Sequence, residues 1–312
     1  MDVLSDALAV MRTGRPHSAR TERRGRWAVR HPPFAGAGFH VVLQGSCRLV
    51  VDDRAPLVLR AGDAVLLPHG SAHELTDGRS EPTADPLVAS LVELEEQVAP
   101  DGLDGSTVLL CGAYLLDRAR SHPLLDELPS VVHLPVRVGR HPTVRAVIDL
   151  LGAELEGRRP GIDLLVPALL EALLVYLVRS WLDEQPDARP ATGWAAALRD
   201  PAIVATLRGI HGDPARPWTV EELGALAGLS RAAFARRFTT LVGRPPLGYL
   251  TWWRMTAAAR LLRDSDAPLD TVAKQIGYTS EFAFANAFKR EYGIAPGKYR
   301  KRGSGTIEHD AN

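Results

Sequence analysis

Two short segments late in the chain carry side chains suited to the edges and backbone of a nucleic acid. In the first, Arg231, Ala232, Ala235, Arg236 and Thr239 fall on one helical face, opposite Phe234, Phe238 and Leu241. An arginine fork of donors matches the O6 and N7 acceptors of guanine, and Arg236 carries such a fork on that face. In the second, Ser280, Glu281, Phe282, Ala285, Asn286 and Lys289 face outward, against an inward row of Phe284, Phe288 and Tyr292. Phe282 is too large and apolar for an idle surface position; it either meets a thymine methyl or packs. Arg237, Lys289, Arg290, Lys298, Arg300 and Arg302 suit phosphates, contacts that position a protein without specifying sequence. The bland alternative for each of these charges is a solvated surface.

The elements that must hold these faces occur twice. Leu223 to Phe238 is followed by Gly243, Pro246 and Tyr249; Val272 to Phe288 is followed by Gly293, Pro296 and Tyr299. Measured from each Phe, the Gly, Pro and Tyr stand at offsets of 5, 8 and 11 in both copies. Each copy reads as helix, tight turn, helix. Thr219 is placed to cap the first helix, with Glu221 and Glu222 in its first turn, and Ser230 to cap the second. In the second copy Asp270 and then Thr279 or Ser280 are the expected caps. Gly228 and Gly277 supply the left-handed turns. Between the copies, Pro245 and Pro246 open a linking helix through Leu250, Trp253, Ala257, Leu261 and Leu262, which ends near Asp264.

Charge follows the same division. Residues 218–302 hold 14 Lys and Arg against 7 Asp and Glu, a net charge of +7, whereas residues 1–217 carry −5. The overall balance of zero therefore conceals a basic module that can meet a polyanion. At 312 residues the chain is long enough for two domains. Ile162 to Leu182, the most apolar run, is broken by Asp163, Glu171 and Arg179 and suits a buried helix better than a membrane span. The first residues lack a signal peptide's basic start and apolar core. Two cysteines, Cys47 and Cys111, exclude a disulfide framework and leave room for one isolated bridge at most; a reduced, cytoplasmic setting is the expectation.

The tandem pattern, with Gly277-Tyr278 and the ending Phe288-x4-Gly293-x2-Pro296-x2-Tyr299, resembles the DNA-binding domain of AraC-type transcription regulators. The resemblance implies promoter DNA as partner and Arg236 at a base-contacting position. It implies base-facing roles for Arg231, Ala232, Ala235, Arg236, Ser280, Glu281, Phe282 and Asn286. Phosphate-facing roles go to Arg237, Lys289, Arg290 and Arg300. Asn286 stands where the family often has arginine, a departure that weakens base reading by the second unit.

The front of the chain reads as short strands with frequent turns: Phe39 to Leu43, Cys47 to Val51, Leu57 to Leu59 and Ala64 to Leu67, a pattern expected of a small antiparallel barrel or jelly roll. Gly62-x5-Pro68-x-Gly70-x2-His73 is similar to the second motif of cupins, and the whole front resembles the cupin-like sensor domains that precede some AraC-type readers. Cupins often hold a metal through histidines. His73 matches the motif histidine, but there is no His-x-His pair, and Gly38 falls where a ligand glutamate is expected. His31 and His40 are the nearest substitutes, and Cys111 could complete a zinc-type or other divalent-metal site with His40 and His73. The competing reading is a vestigial pocket with His73 satisfied by the backbone, and Cys111 as a small core residue.

Helical spacing returns at Val144, Val147, Ile148 and Leu151. A second helix from Gly161 places Leu165, Leu169, Leu173, Tyr176 and Leu177 on one face. That apolar excess serves core packing, or a homodimer interface as the resemblance implies. The expected architecture is two-domain α+β: a cupin-like β-barrel with following helices in residues 1–184, a linker at 185–200, an all-α tandem helix-turn-helix domain at 201–302 and a disordered tail at 303–312. Residues 194–211 are expected to lead into the reader as one helix. The expected function is a sequence-specific, non-enzymatic transcription regulator whose front domain senses a small molecule, metal or oxidant, with RNA polymerase as a further candidate partner. The rival is a metal-dependent cupin enzyme with a helical appendage, which the incomplete ligand motif disfavours.

Overall fold

A computed structural model of the chain describes residues 2–52, 54–79, 106–116, 122–135, 140–157, 159–185 and 192–304, the last three without their side chains. Helix α1 (Val3–Met11) opens the chain. The strands are β1 (His17–Arg23), β2 (Ala28–His31), β3 (Gly36–Gln44), β4 (Ser46–Val51) and β5 (Leu57–Arg60). They continue with β6 (Ala64–Leu67), β7 (His73–Thr76), β8 (Thr107–Leu115) and, after the single-turn α2 (Pro123–Asp126), β9 (Val132–Leu134). Helices α3 (Pro142–Gly157), α4 (Ile162–Glu184) and α5 (Trp194–Arg199) lead to the final third. The chain divides into two compact units: Arg12–Arg118 with Leu128–Asp187, and Met1–Met11 with Ala119–Glu127 and Ala188–Asn312.

The first unit corrects the expected barrel. Its described strands form two open antiparallel sheets, one ordered β1-β8-β3-β6-β9 and the other β2-β7-β4-β5. A closed barrel needs a stagger and tilt carried through hydrogen bonds around every strand. Here β3 ends in a register shift between Val42 and Gln44, and Gly45 turns the chain so that β4 begins in the other sheet. The outer strands β1, β9, β2 and β5 are therefore left as edges. Val42, Leu67, Leu109 and Cys111 from one sheet meet Cys47, Leu49, Leu59 and Leu75 from the other in one buried cluster. Alternating patterning placed β3 to β6 but did not decide whether the edges of the sheets meet.

Helix α3 buries the expected stripe of Val144, Val147, Ile148 and Leu151. Helix α4 buries Leu170, Leu173, Leu174, Leu177, Val178 and Trp181, and the Tyr114 hydroxyl donates to the Leu170 carbonyl at 2.7 Å. Leu150, Leu164 and Leu165 remain exposed, Leu164 at 81%.

The second unit is helical and contains α6 (Pro201–Gly212), α7 (Val220–Leu226), α8 (Arg231–Val242), α9 (Pro246–Asp264), α10 (Leu269–Gln275), α11 (Glu281–Tyr292) and α12 (Pro296–Ser304). Residues 194–211 are two helices rather than the single one expected. Pro201 has no N–H, and Asp200 before it is extended, with its carboxylate capping α6 at the amides of Ala202 and Ile203. Residues 186–191 of the expected linker and 305–312 of the expected tail lie outside the described residues, while α12 continues to Ser304.

Two early segments are built into this unit. Helix α1 packs on α6 and α9, Asp6 lies 3.3 Å from Nδ1 of buried His211, and Arg263 donates to the Val10 carbonyl at 3.4 Å. The His211 ring stacks on Trp253 at 3.6 Å and shares a 2.7 Å hydrogen bond with the Tyr249 hydroxyl. Buried His122 accepts from the Leu124 amide and lies edge-on to Trp194 and Trp252. The Glu127 carboxylate takes the Trp194 amide at 2.6 and 2.8 Å, capping α5 where Gly193 has no side chain to do so.

Gly277 has φ of +85°, and a Cβ there would stand 2.5 Å from the Ala215 carbonyl oxygen. Gly277→Ala is therefore expected to destabilise this unit by about 1–3 kcal/mol. Thermal unfolding of the full chain checks this; an unchanged midpoint would show that the turn relaxes freely.

Candidate nucleic-acid interface and a buried histidine cluster

The first helix-turn-helix is fixed by local hydrogen bonds. Thr219 and Glu222 form a reciprocal capping box at the start of α7. The chain then turns through Gly228, the Leu229 amide donates to the Gly224 carbonyl at 2.9 Å, and Ser230 caps α8. The second unit repeats this plan, with Ser280 capping α11. The expected Asp270 cap is corrected: Pro268 holds that position, and Asp270 sits in the first turn of α10, 3.1 Å from the Lys274 ammonium. Negative charge is favoured there without capping.

Each recognition helix is set by its apolar back. Phe234 and Phe238 of α8 are fully buried, and Phe238 packs edge-on against Tyr249 of α9. Phe284 and Phe288 of α11 join Met255, Ala258, Ala259 and Leu262 of the same linking helix. The outward faces are left to solvent: Arg231, Ala232, Arg236, Ser280, Glu281, Phe282 and Asn286 are exposed, and Ala235 is half-buried. Phe282 is 77% exposed, so it does not pack within the chain.

The basic residues differ in their engagements. Arg231 pairs with Glu221 at 2.8 Å, both exposed. Arg237 is held by the buried Asp200 carboxylate at 2.6 Å, and Arg300 donates to the Ala267 carbonyl at 2.5 Å. Lys289, Arg290 and Lys298 are exposed; the Arg302 side chain lies outside the described residues. Sequence spacing gave no sign of Asp200 or Ala267, which come from distant segments.

In the two-sheet unit, histidines from both sheets converge. His31 on β2 and His73 on β7 are direct cross-strand partners with rings stacked 4.7 Å apart. His40 on β3 reaches across from the other sheet, its Nε2 at 2.7 Å from His73 Nε2. One ligand atom from each of the three lies within 4.8 Å of the others. Local structure explains the aim: Pro32 and Pro33 follow β2, and Gly70 folds the loop before β7 so tightly that a Cβ would sit 2.3 Å from the Phe34 carbonyl oxygen. His73 Nδ1 donates to the Ser71 carbonyl at 2.8 Å, which leaves Nε2 as a lone pair.

All three imidazoles are neutral near pH 7. Burial is the main cause, reinforced for His31 and His40 by the neighbouring imidazoles; His31 is lowered to about 3 and His40 falls well below the usual value. His73 is also lowered by burial, against an upward pull from Ser71. With His73 Nε2 accepting, His40 Nε2 carries the proton between them, and His40 Nδ1 is left buried with no hydrogen-bond partner. An orphan of this kind costs about 1–3 kcal/mol.

The structure brings His40 and His73 together, with His31 as the third member of the cluster rather than Cys111. Cys111 is directly opposite His40 on β8 but is packed into the core with Cys47. Burial pushes both thiols up to about 12, leaving almost no thiolate for oxidation or nucleophilic attack at neutral pH. His31 was among the nearest histidines in sequence, yet only the β2–β7 register reveals that it faces His73.

Two helix-turn-helix units on one linking helix, each with an exposed recognition face, define a DNA-binding protein. Comparison with known families extends this over the chain: residues 2–183 match the family model described as Cupin, and residues 223–302 match that of a helix-turn-helix domain. The chain is 37% identical over 304 residues to a putative AraC-like transcription regulator of Streptomyces lividans, covering 96% of this chain and 98% of that one. It is 29% identical over 312 residues to the HTH-type transcriptional regulator AlkR of Acinetobacter baylyi, covering 97% and 100%. Among solved structures, the DNA-binding domain of AdpA in complex with a target DNA is 33% identical, covering 36% of this chain and 99% of that one, with a TM-score of 0.33. The chain belongs to the AraC-type transcription regulators that carry an N-terminal cupin-like domain. It is a sequence-specific DNA-binding regulator rather than an enzyme.

Five histidines, His31, His40, His73, His122 and His211, have folded-state pKa values lowered from 6.5. The unfolded chain therefore binds more protons, so their full contribution is present above about pH 6.5 and is lost progressively as pH falls through each lowered folded-state value, about 3 for His31. Stability is expected to drop by about 1.4 kcal/mol per pH unit for each histidine protonated only in the unfolded chain. Denaturant midpoints at pH 7 and pH 5 check this; equal midpoints would contradict the buried, neutral assignment.

Proposed function

We propose that this cytoplasmic regulator reads a promoter by placing α8 and α11 in successive major grooves, with the cupin-like unit supplying the signal. The observation that carries the reading is the exposure of both recognition faces while their backs are buried on a single helix, α9. Bases are met by Arg231, Ala232, Ala235 and Arg236 from the first unit and by Ser280, Glu281, Phe282 and Asn286 from the second. Arg236 supplies the sharpest contact, because it is exposed and presents the guanidinium fork. Phe282 meets a thymine methyl, the use consistent with its exposure.

Phosphate contact falls first to Lys289 and Arg290, which lie beside the α11 reading face. Arg237 and Arg300 reach phosphate only by sharing their guanidinium groups with Asp200 and the Ala267 carbonyl. Among the described residues no helix is long and apolar enough to cross a membrane, which agrees with a protein that works on DNA. The effector of the front unit is a small molecule or a metal; the buried, high-pKa thiols argue against an oxidant acting on cysteine. Coupling between effector and DNA would be worth about 1–3 kcal/mol, shifting the populations of DNA-competent and incompetent states. RNA polymerase is the natural further partner of a promoter-bound regulator.

The exposed Leu150, Leu164 and Leu165 favour a homodimer through α3 and α4. Replacing Leu164 and Leu165 together by Glu is expected to leave a folded monomer; light scattering on the eluting protein checks this, and an unchanged mass would place any dimer contact elsewhere. For the reader, selection from random-sequence duplexes should show Arg236→Ala losing about 1–3 kcal/mol of preference at one base position. An equal loss on all sequences would make Arg236 a phosphate contact.

A further inference from the structure

We infer that His31, His40 and His73 form a binding site for one divalent transition-metal ion of borderline character, zinc(II) or a near neighbour. The donor set is three imidazoles with no carboxylate, which suits zinc, copper, nickel or iron and not calcium or magnesium. His40 and His73 are buried and His31 is partly buried, so the three rings meet where little water competes for them. His73 is already oriented, since its Nδ1–H donates to the Ser71 carbonyl and turns the Nε2 lone pair toward His40.

Two ring nitrogens face each other at 2.7 Å over a single proton, which a bound ion would displace. A zinc ion at about 2.0–2.1 Å from each nitrogen in tetrahedral geometry needs those nitrogens about 3.3 Å apart. The rings must therefore separate by about 0.6 Å, a small rotation for side chains at the end of one bond. Three protein ligands leave a fourth position for water or an exogenous ligand. His31 is only partly buried, on edge strand β2, and provides the route of entry.

The site differs from the cupin second-motif pattern, of which only His73 is a part. It also excludes Cys111, which packs with the core instead. Because His40 stands on one sheet and His31 and His73 on the other, an ion held by all three would cross-link the sheets and make front-unit stability depend on occupancy. That occupancy is the regulator's signal rests on the function proposed above; the binding does not.

Tag-free full-length protein, stripped with EDTA and dialysed, would be titrated with zinc chloride in competition with a chromophoric chelator. One equivalent is expected to bind, with a rise in melting temperature. Cobalt(II) in place of zinc should give ligand-field bands without a thiolate-to-cobalt charge-transfer band. His31→Gln, at the partly exposed edge, is expected to weaken zinc binding at least ~10-fold while melting like the metal-free wild type; the Cys47→Ala/Cys111→Ala double variant should bind as wild type does. Absence of a saturable equivalent, a thiolate charge-transfer band, or undiminished affinity in His31→Gln would overturn the site. Zinc binding with operator affinity unchanged would retain the site and remove it from signalling.

Discussion

The burial of α9 along both of its flanks is the constraint on which DNA reading depends. Near its start Tyr249 packs with Phe238 and Trp194 and lies against Trp252, and Met255, Ala258, Ala259 and Leu262 further along enclose Phe284 and Phe288. A recognition helix can present a fixed set of side chains only if its back is immobile, and here both backs are anchored to the same rigid rod. The separation of the two reading faces is consequently a property of α9, not of a flexible connection. Small residues at Ala258 and Ala259 allow the aromatic rings of α11 to approach the linking helix closely.

The same unit recruits material from the beginning of the chain. Helix α1 and the turn around α2 contribute Asp6, which lies beside buried His211, Glu127, which caps α5, and His122, which packs edge-on against Trp194 and Trp252. The reader is therefore more than its tandem motif: its His211, Trp253 and Tyr249 stack is completed by Asp6 of a helix 205 positions before His211. The segments Met1–Met11 and Ala119–Glu127 both continue directly into the cupin-like unit.

Much of the reader was legible because its signals are local. Thr219 with Glu222, Ser230 and Ser280, and the two turn glycines each act within a few residues, so spacing alone locates them. Asp270 was misplaced as a cap because a carboxylate in the first turn and one at the cap have nearly the same sequence appearance. The open sheets and the His31 position were not legible. Both depend on strand register: one residue of slip would turn His31 away from His73, and no local pattern distinguishes the two outcomes. The same holds for Arg237, whose partner Asp200 is set by packing between α5, α6 and α8. Cys111 was expected to complete a site with His40 and His73; it lies opposite His40 on β8, yet it packs into the core instead.

The central claim, that two recognition helices at a fixed separation read a specific site, is tested most directly by binding the purified protein to genomic fragments at near-physiological salt and sequencing what is retained. The expected result is a shared motif of two boxes whose centres lie about one helical turn, 10–10.5 base pairs, apart. Retention without a shared motif, falling uniformly as salt rises, would show only phosphate-driven binding and would contradict the account.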